Sequence, residues 1–187
     1  VLQKFHDQFN KQLGETRRWA AFLYVVTHLG SLRRPVTIVE TGCARALNNW
    51  AGDGQSTLVW DWLVGELGGT ATSFDISSDS VAYARSKVQH ANVVQSDSII
   101  GLRCVDASKI DFLYLDSYDW TGSIDSPAHH LAELASVYPR LPSGCLIAVD
   151  DCLDGEGGGK HAFVKAFLTS LGIEPKVIGY VTVWIKP

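Results

Sequence analysis

The sequence lacks the features that mark several protein classes. Methionine is absent from all 187 residues, and with valine in first place the numbering reads as that of a trimmed chain. Only four cysteines occur (Cys43, Cys104, Cys145 and Cys152), and no two of them form a CxxC pair. A structural zinc site and a disulfide scaffold are therefore both poor readings, and thiols kept reduced in the cytoplasm are the expectation. Positive charge is not in excess: Lys plus Arg total 16 against 20 Asp plus Glu, a net charge of -4. That balance leaves no electrostatic footprint for nucleic acid or an anionic membrane. No apolar run approaches the roughly 20 residues of a membrane-spanning helix; the longest, residues 19–29, contains Thr27 and His28. A signal-peptide pattern of basic start, apolar stretch and small-residue cleavage site is also missing. Repeats, low-complexity tracts and Pro/Gly-rich linkers are missing too, so residues 1–187 are expected to form one domain. With 46% hydrophobic and 19% charged residues, the chain can bury a core and does not have a disordered composition.

The pattern along the chain predicts an α/β protein. Leu2, Phe5, Phe9 and Leu13 recur at helical spacing, Gly14 interrupts, and Trp19, Phe22, Leu23 and Val26 form a second apolar stripe. Arg33-Arg34-Pro35 closes this N-terminal helical cap over residues 1–35, since the position before proline disfavours helix. The cap would suit either a lid or a homodimer contact. From residue 36, short buried runs at 36–40, 71–76, 92–95, 111–116 and 145–150 alternate with helical stretches at 56–67, 79–90 and 126–138. Ser126 and Pro127 read as N-cap and first helical position of the third stretch. A helix over about 160–171 and an antiparallel hairpin of 176–178 with 181–185 complete the catalytic sheet domain, residues 36–187. The expected fold is a doubly wound, mostly parallel sheet with an antiparallel C-terminal hairpin and N-terminal helices.

Ligands of such sheets bind beyond the carboxyl ends of the strands, and there every expected core strand ends in or beside a carboxylate. Glu40-Thr41-Gly42-Cys43-Ala44 resembles the first motif of class I S-adenosylmethionine-dependent methyltransferases. A dinucleotide site would instead want G-x-G-x-x-G opening a helix, which ranks a nicotinamide-dependent oxidoreductase last. The resemblance implies S-adenosylmethionine as cofactor, with Glu40, Gly42, Ser56, Asp75, Asp97, Ser98 and Asp116 around it. Gly42 would permit close approach to the backbone, Asp75 would accept hydrogen bonds from the ribose hydroxyls, and Asp97-Ser98 would contact adenine. The stretch from Glu40 to Ser56 is longer than the family's usual run. Its excess, residues 45–51, reads as a lid or substrate wall with Trp50 as a stacking surface, or as an insertion whose aromatic packs on the body.

Asp116 and the Asp150-Asp151 pair would meet at one rim if their strands are neighbours, and three crowded carboxylates repel unless something positive lies between them. A hard divalent cation is one solution. This arrangement resembles the metal-dependent O-methyltransferases of the catechol and antibiotic-sugar types, which implies Asp116, Asp150 and Asp151 as Mg²⁺ ligands and a small hydroxylated molecule as acceptor. Alternatively, one or two of these carboxylates merely cap following segments. The catechol type has a lysine base three residues after the first metal ligand, where this chain has Asp119. The sugar type has an aspartate two residues after it, where this chain has Tyr118. Asp119 is the first expectation for the base, with His129 and His130 as alternates. Residues 155–160, a Gly-rich run ending in Lys160, read as a flap or a plain connection. A metal-free methyltransferase and a non-catalytic cofactor-binding domain stay open beside the leading reading.

Overall fold

The computed structural model describes residues 1–152 and 158–187. Of the expected flap, residues 155–157 lie outside the described residues. The N-terminal region forms α1 (Leu2–Leu13) and α2 (Trp19–Ser31), broken at Gly14 as the apolar spacing requires. Strands β1 (Val36–Thr41), β2 (Gly69–Asp75), β3 (Asn92–Gln95), β4 (Phe112–Leu115), β5 (Leu146–Val149) and β6 (Thr182–Ile185) form one sheet in the order β3-β2-β1-β4-β5-β6. The first five run parallel and β6 pairs antiparallel with β5. Between them lie α3 (Ser56–Leu67), α4 (Ser78–Arg85), α5 (Ser98–Cys104), α6 (Asp125–Val137) and α7 (Ala162–Ser170). No helix among the described residues is long and apolar enough to cross a membrane.

Alternation along the strands builds two cores, because successive side chains leave a strand on opposite faces. Phe112, Tyr114, Leu146 and Ala148 face one core, shared with Phe5, Phe9 and Leu13 of α1, Phe22 and Val26 of α2, and Trp60 of α3. Leu113, Leu115, Ile147 and Val149 face the other, shared with Leu134 of α6 and Val164 and Leu168 of α7. Both faces of the central strands are thus covered, which explains why those strands read as unbroken apolar runs. Trp60 anchors the first core, its ring 4.9 Å from Phe22, 5.0 Å from Phe112 and 5.4 Å from Tyr114. Asp61, on the same helix, accepts backbone N–H bonds from Gln89, His90 and Ala91 at 2.6–3.0 Å and so fixes the approach to β3.

Three sequence expectations change. The apolar face of α1 packs onto the sheet domain instead of standing apart as a lid: Phe5, Phe9 and Leu13 are all in the first core. The expected C-terminal hairpin shrinks to a single antiparallel bridge, Val177 with Val183, and β6 pairs along its length with β5. Helix α6 begins at Asp125, and the Ser126 hydroxyl does not cap it; it donates to the Tyr118 carbonyl at 3.0 Å, holding down the loop before the helix. Helix α5, absent from the expected pattern, starts where the Asp97 carboxylate accepts the Ile100 N–H at 3.0 Å.

Candidate functional site

The chain order reverses between β1 and β4, the neighbours at the centre of the sheet, and opens a crevice beyond their carboxyl ends. Gly42 makes the turn out of β1 with φ of +79°. A Cβ there would stand 2.5 Å from the Asp116 carbonyl oxygen, so both backbone conformation and space demand glycine. Asp75 ends β2 alongside. Its Oδ2 accepts the Cys43 N–H at 3.1 Å and its Oδ1 the Ser77 N–H at 2.8 Å, which fixes the carboxylate over the crevice.

Two cavities meet at Asp75, Ile76 and Ser117. One, of about 270 Å³, is enclosed by Phe74, Asp97, Ser98, Tyr118 and His129 together with those three. The other, of about 200 Å³, lies toward Gly42, Cys43, Asp53, Ser56, Ser80 and Asp116. Six of the seven residues expected around the cofactor (Gly42, Ser56, Asp75, Asp97, Ser98 and Asp116) therefore line one bent trough. Glu40 does not line it. It is buried beneath the trough, where its Oε2 accepts from Thr57 at 2.7 Å and Ser73 at 2.5 Å, tying the start of α3 to β2. Burial pushes its carboxyl up to about 7, against the hydroxyl donors that favour the charged form.

His129, an expected base, belongs to the wall of the larger cavity. Its Nε2 lies 3.1 Å from the Ser98 hydroxyl and 3.3 Å from Glu133, a buried carboxylate that also accepts from Ser117 at 2.5 Å. Glu133 raises the His129 pKa, and the imidazole in turn holds Glu133 below its usual range despite burial. Both groups are thus committed to each other. His130 points away: it is buried, one turn above Ser126, with Nδ1 2.7 Å from that residue's carbonyl.

Asp119, the first expectation for the base, is also committed. Arg45 grips both its oxygens at 2.8 and 2.9 Å, and this bidentate pairing holds its carboxyl below the usual range. A depressed pKa and a solvent-exposed position, 58%, suit a latch between the 45–55 loop and the segment after β4 better than proton abstraction. In the same long loop Trp50 packs against the first core, 5.9 Å from Phe9, which favours the packing reading over a stacking surface. Asp53 is the residue that sequence reasoning passed over. Its Oδ1 accepts from Gln55 at 2.9 Å, its buried Oδ2 has no partner among the described residues, and the residue lines the smaller cavity.

The three aspartates expected to hold magnesium do converge, since β4 and β5 are parallel neighbours. Their counter-charge is supplied by the chain. The Arg18 Nε donates to Asp150 Oδ2 at 2.7 Å and its Nη2 to Asp151 Oδ1 at 3.3 Å, with Arg18 2% and Asp150 0% exposed. The Lys160 Nζ, 1% exposed, lies 2.5 Å from Asp116 Oδ1 and 2.9 Å from Asp151 Oδ2. Asp150 Oδ1 accepts the Asp151 N–H at 2.8 Å, and the Tyr180 hydroxyl donates to Asp151 Oδ1. Asp151 adopts φ of +48°, a left-handed conformation that aspartate tolerates better than most residues. Burial works against the charge on Asp151, but Lys160, Tyr180 and Arg18 hold its pKa down. Asp116 goes the other way, raised by burial and by the two neighbouring carboxylates against the pull of Lys160.

This donor set does not fit a magnesium ion. Every carboxylate oxygen of the three except Asp116 Oδ2 already has a partner within the chain, so a Mg²⁺ ion, which is held by one or two carboxylates and keeps several waters, would meet one open oxygen beside two buried cations. Nor do the described residues contain a group of three or more acidic, histidine or cysteine side chains placed to hold a metal.

No family model matches the sequence, and no curated protein matches it. Solved structures do resemble the fold. A candidate rRNA-methylase from Clostridium thermocellum superposes with a TM-score of 0.63 at 15% identity, over 92% of this chain and 98% of that one. CalS11, a TDP-rhamnose 3'-O-methyltransferase of calicheamicin biosynthesis, gives 0.65 at 15% identity over 99% and 86%. MycE, a methyltransferase of mycinamycin biosynthesis in complex with Mg, S-adenosylhomocysteine (SAH) and mycinamycin VI, gives 0.61 at 15% identity over 87% of this chain but 48% of its own. At such identities the likeness is one of fold, and this chain has the doubly wound fold of these methyltransferases.

Two outcomes follow from the charges. Asp150→Ala strands a buried guanidinium, so chemical denaturation should show a loss of about 3–5 kcal/mol; a loss below about 1 kcal/mol would mean that Arg18 is not held by this pair. The second concerns Glu40, whose folded-state pKa is raised above its ordinary value. Its contribution to stability is fully present below the unfolded pKa and is lost as pH rises through about 7. Unfolding free energies of Glu40→Gln, measured from pH 4.5 to 8, should therefore fall less with pH than those of the parent chain. Parallel profiles would place the Glu40 pKa at its ordinary value.

Proposed function

We propose that the chain is an S-adenosylmethionine-dependent methyltransferase acting on a small hydroxylated acceptor. The observation that carries this reading is the placement of Asp75 at the junction of two cavities beyond the carboxyl ends of parallel strands. A nucleoside laid along the trough would present its ribose hydroxyls to that carboxylate. The larger cavity, walled by Phe74, Ile76, Ser98 and His129, suits a flat base with polar edges. The smaller one has Asp53 in its wall, and a carboxylate there is the right counterpart for an amino group. The acidic trough fits a cofactor that carries positive charge and disfavours a pyrophosphate. The relatives of similar fold that bind S-adenosylhomocysteine, MycE among them, support the same choice.

When bound, S-adenosylmethionine supplies an electrophilic methyl group on a sulfonium centre. The chain's own part is to bind, to orient and to take up a proton. Asp75 and Asp53 fix the two ends of the smaller compartment. Asp116 stands at its inner wall with Oδ2 free of partners among the described residues, so that oxygen is the chain's proton acceptor for a hydroxyl brought against it. Its raised pKa increases its basicity over that of a solvated carboxylate. Arg45 and Asp119, joined across the mouth, restrict access of water once the acceptor is inside. The net charge of -4 favours a small molecule over nucleic acid as acceptor, and the four free thiols accord with a reducing cytoplasm.

Calorimetry tests this reading without knowledge of the acceptor. S-adenosylhomocysteine should bind in the micromolar range and NADH should not. Asp75→Ala should weaken the binding by about tenfold or more, as expected for a lost charge-assisted hydrogen-bonded pair. Binding of NADH, or an Asp75→Ala chain that binds S-adenosylhomocysteine undiminished, contradicts the assignment.

A further inference from the structure

The carboxylate rim poses a question that the cofactor trough does not answer: why two cations of the chain are buried among three aspartates. Surface lysines and arginines do not lose their water for small gains, since removing an ion from solvent costs several kcal/mol unless close partners replace it. Lys160 and Arg18 nevertheless sit 1% and 2% exposed. They arrive from opposite ends of the chain, Arg18 from the turn before α2 and Lys160 from the segment before α7. Tyr180 adds its ring beneath Arg17 and Arg18, 3.9 and 4.7 Å from the guanidinium carbons, and gives its hydroxyl to Asp151. Lys160 is the member placed between strands: it bridges Asp116 at the end of β4 and Asp151 after β5.

We propose that Lys160 is a resident counter-cation that occupies the position of a divalent metal ion and makes this site metal-free. Its ammonium satisfies Asp116 Oδ1 and Asp151 Oδ2, two oxygens on different strands that a bridging cation would otherwise bind. By fixing Oδ1 it leaves Oδ2 of Asp116 as the free oxygen on the compartment wall. Lys160 lines neither trough cavity, so it is a positioning residue that acts through Asp116 and does not touch the acceptor. Arg18 carries the deeper charge of Asp150 and leaves Lys160 as the only one of the two cations that contacts Asp116. The inference deepens the methyltransferase reading, because it concerns how the proton acceptor is held. Its test does not depend on that reading.

The probe is Mn²⁺ alone, titrated into the full-length chain and followed by the paramagnetic resonance of the free ion. The parent chain is expected to leave the free-ion signal unchanged up to millimolar Mn²⁺. Lys160→Gln removes the ammonium while keeping a polar side chain of similar length, and opens Asp116 Oδ1 and Asp151 Oδ2. It should bind Mn²⁺ at least about tenfold more tightly than the parent, as the neighbouring carboxylates regain a cation. Lys160→Arg retains the charge and should bind no more than the parent. Binding of Mn²⁺ by the parent chain at micromolar concentration, abolished by Asp116→Asn, overturns the proposal, as does a folded Lys160→Gln chain with no gain in affinity. Should Lys160→Gln not fold, the parent titration decides alone: the absence of Asp116-dependent Mn²⁺ binding supports the resident cation, and binding that Asp116→Asn abolishes overturns it. Failure of S-adenosylhomocysteine to bind would overturn the cofactor reading and leave the Mn²⁺ result standing.

Discussion

Parallel strands β4 and β5 end side by side, and that register forces Asp116, Asp150 and Asp151 into one shared volume. Three carboxylates cannot stay ionised there without positive charge between them. The chain meets the constraint from both ends, with Arg18 from the N-terminal helices and Lys160 from the segment leading to α7. Helices α1 and α2 therefore do more than cover a sheet face. Their packing, Phe5 and Phe9 on Trp62 and Phe22 on Trp60, holds Arg18 where its guanidinium reaches Asp150. Core and site are one system here, joined by an ion pair that spans most of the sequence.

The same requirement shapes the trough. With two aspartates neutralised inside the chain, Asp53, Asp75, Asp97 and Asp116 are the acidic residues left lining the cavities. Those groups suit a cofactor with ribose hydroxyls and a cationic amino group, and an acceptor that gives up a proton. The Arg45–Asp119 pair lies farther out, half exposed, where water screens it. Its role is to join two loops, and it contributes little to stability. The network of Ser98, His129, Glu133 and Ser117 stiffens the opposite wall. Within that network the His129 imidazole and the Glu133 carboxylate balance each other.

Much of the fold was legible in the sequence because it rests on local signals. Alternating apolar runs of four to six residues marked the strands, and Gly14 and Pro35 marked the helix ends. The strand-end positions of Gly42, Asp75, Asp97 and Asp116 followed from those runs, and the trough is lined by them. Long-range choices were hidden. Nothing in the local pattern says that β6 will pair along β5 on one edge while keeping only a bridge to Val177 on the other. Glu40 matched the expected motif, yet faces inward because Thr57 and Ser73 offer it hydroxyls there. The need for a cation at the rim could be argued from the carboxylates alone. Its identity could not, because Arg18 lies 132 residues from Asp150 and Lys160 44 residues from Asp116. A buried arginine in a turn between two apolar helices was the available signal, and only tertiary packing reveals the burial.

The central claim is that the strand ends form a nucleoside trough beside a rim closed by the chain's own cations. The most direct measurement is a crystal structure of the full chain soaked with S-adenosylhomocysteine and MnCl₂, with anomalous data collected at the manganese edge. The account predicts nucleoside density running from the Ser98–His129 cavity across Asp75 toward Asp53, with Lys160 still between Asp116 and Asp151 and no anomalous peak there. A manganese peak bound by Asp116, Asp150 and Asp151 with Lys160 displaced, or ligand density away from Asp75, would contradict it.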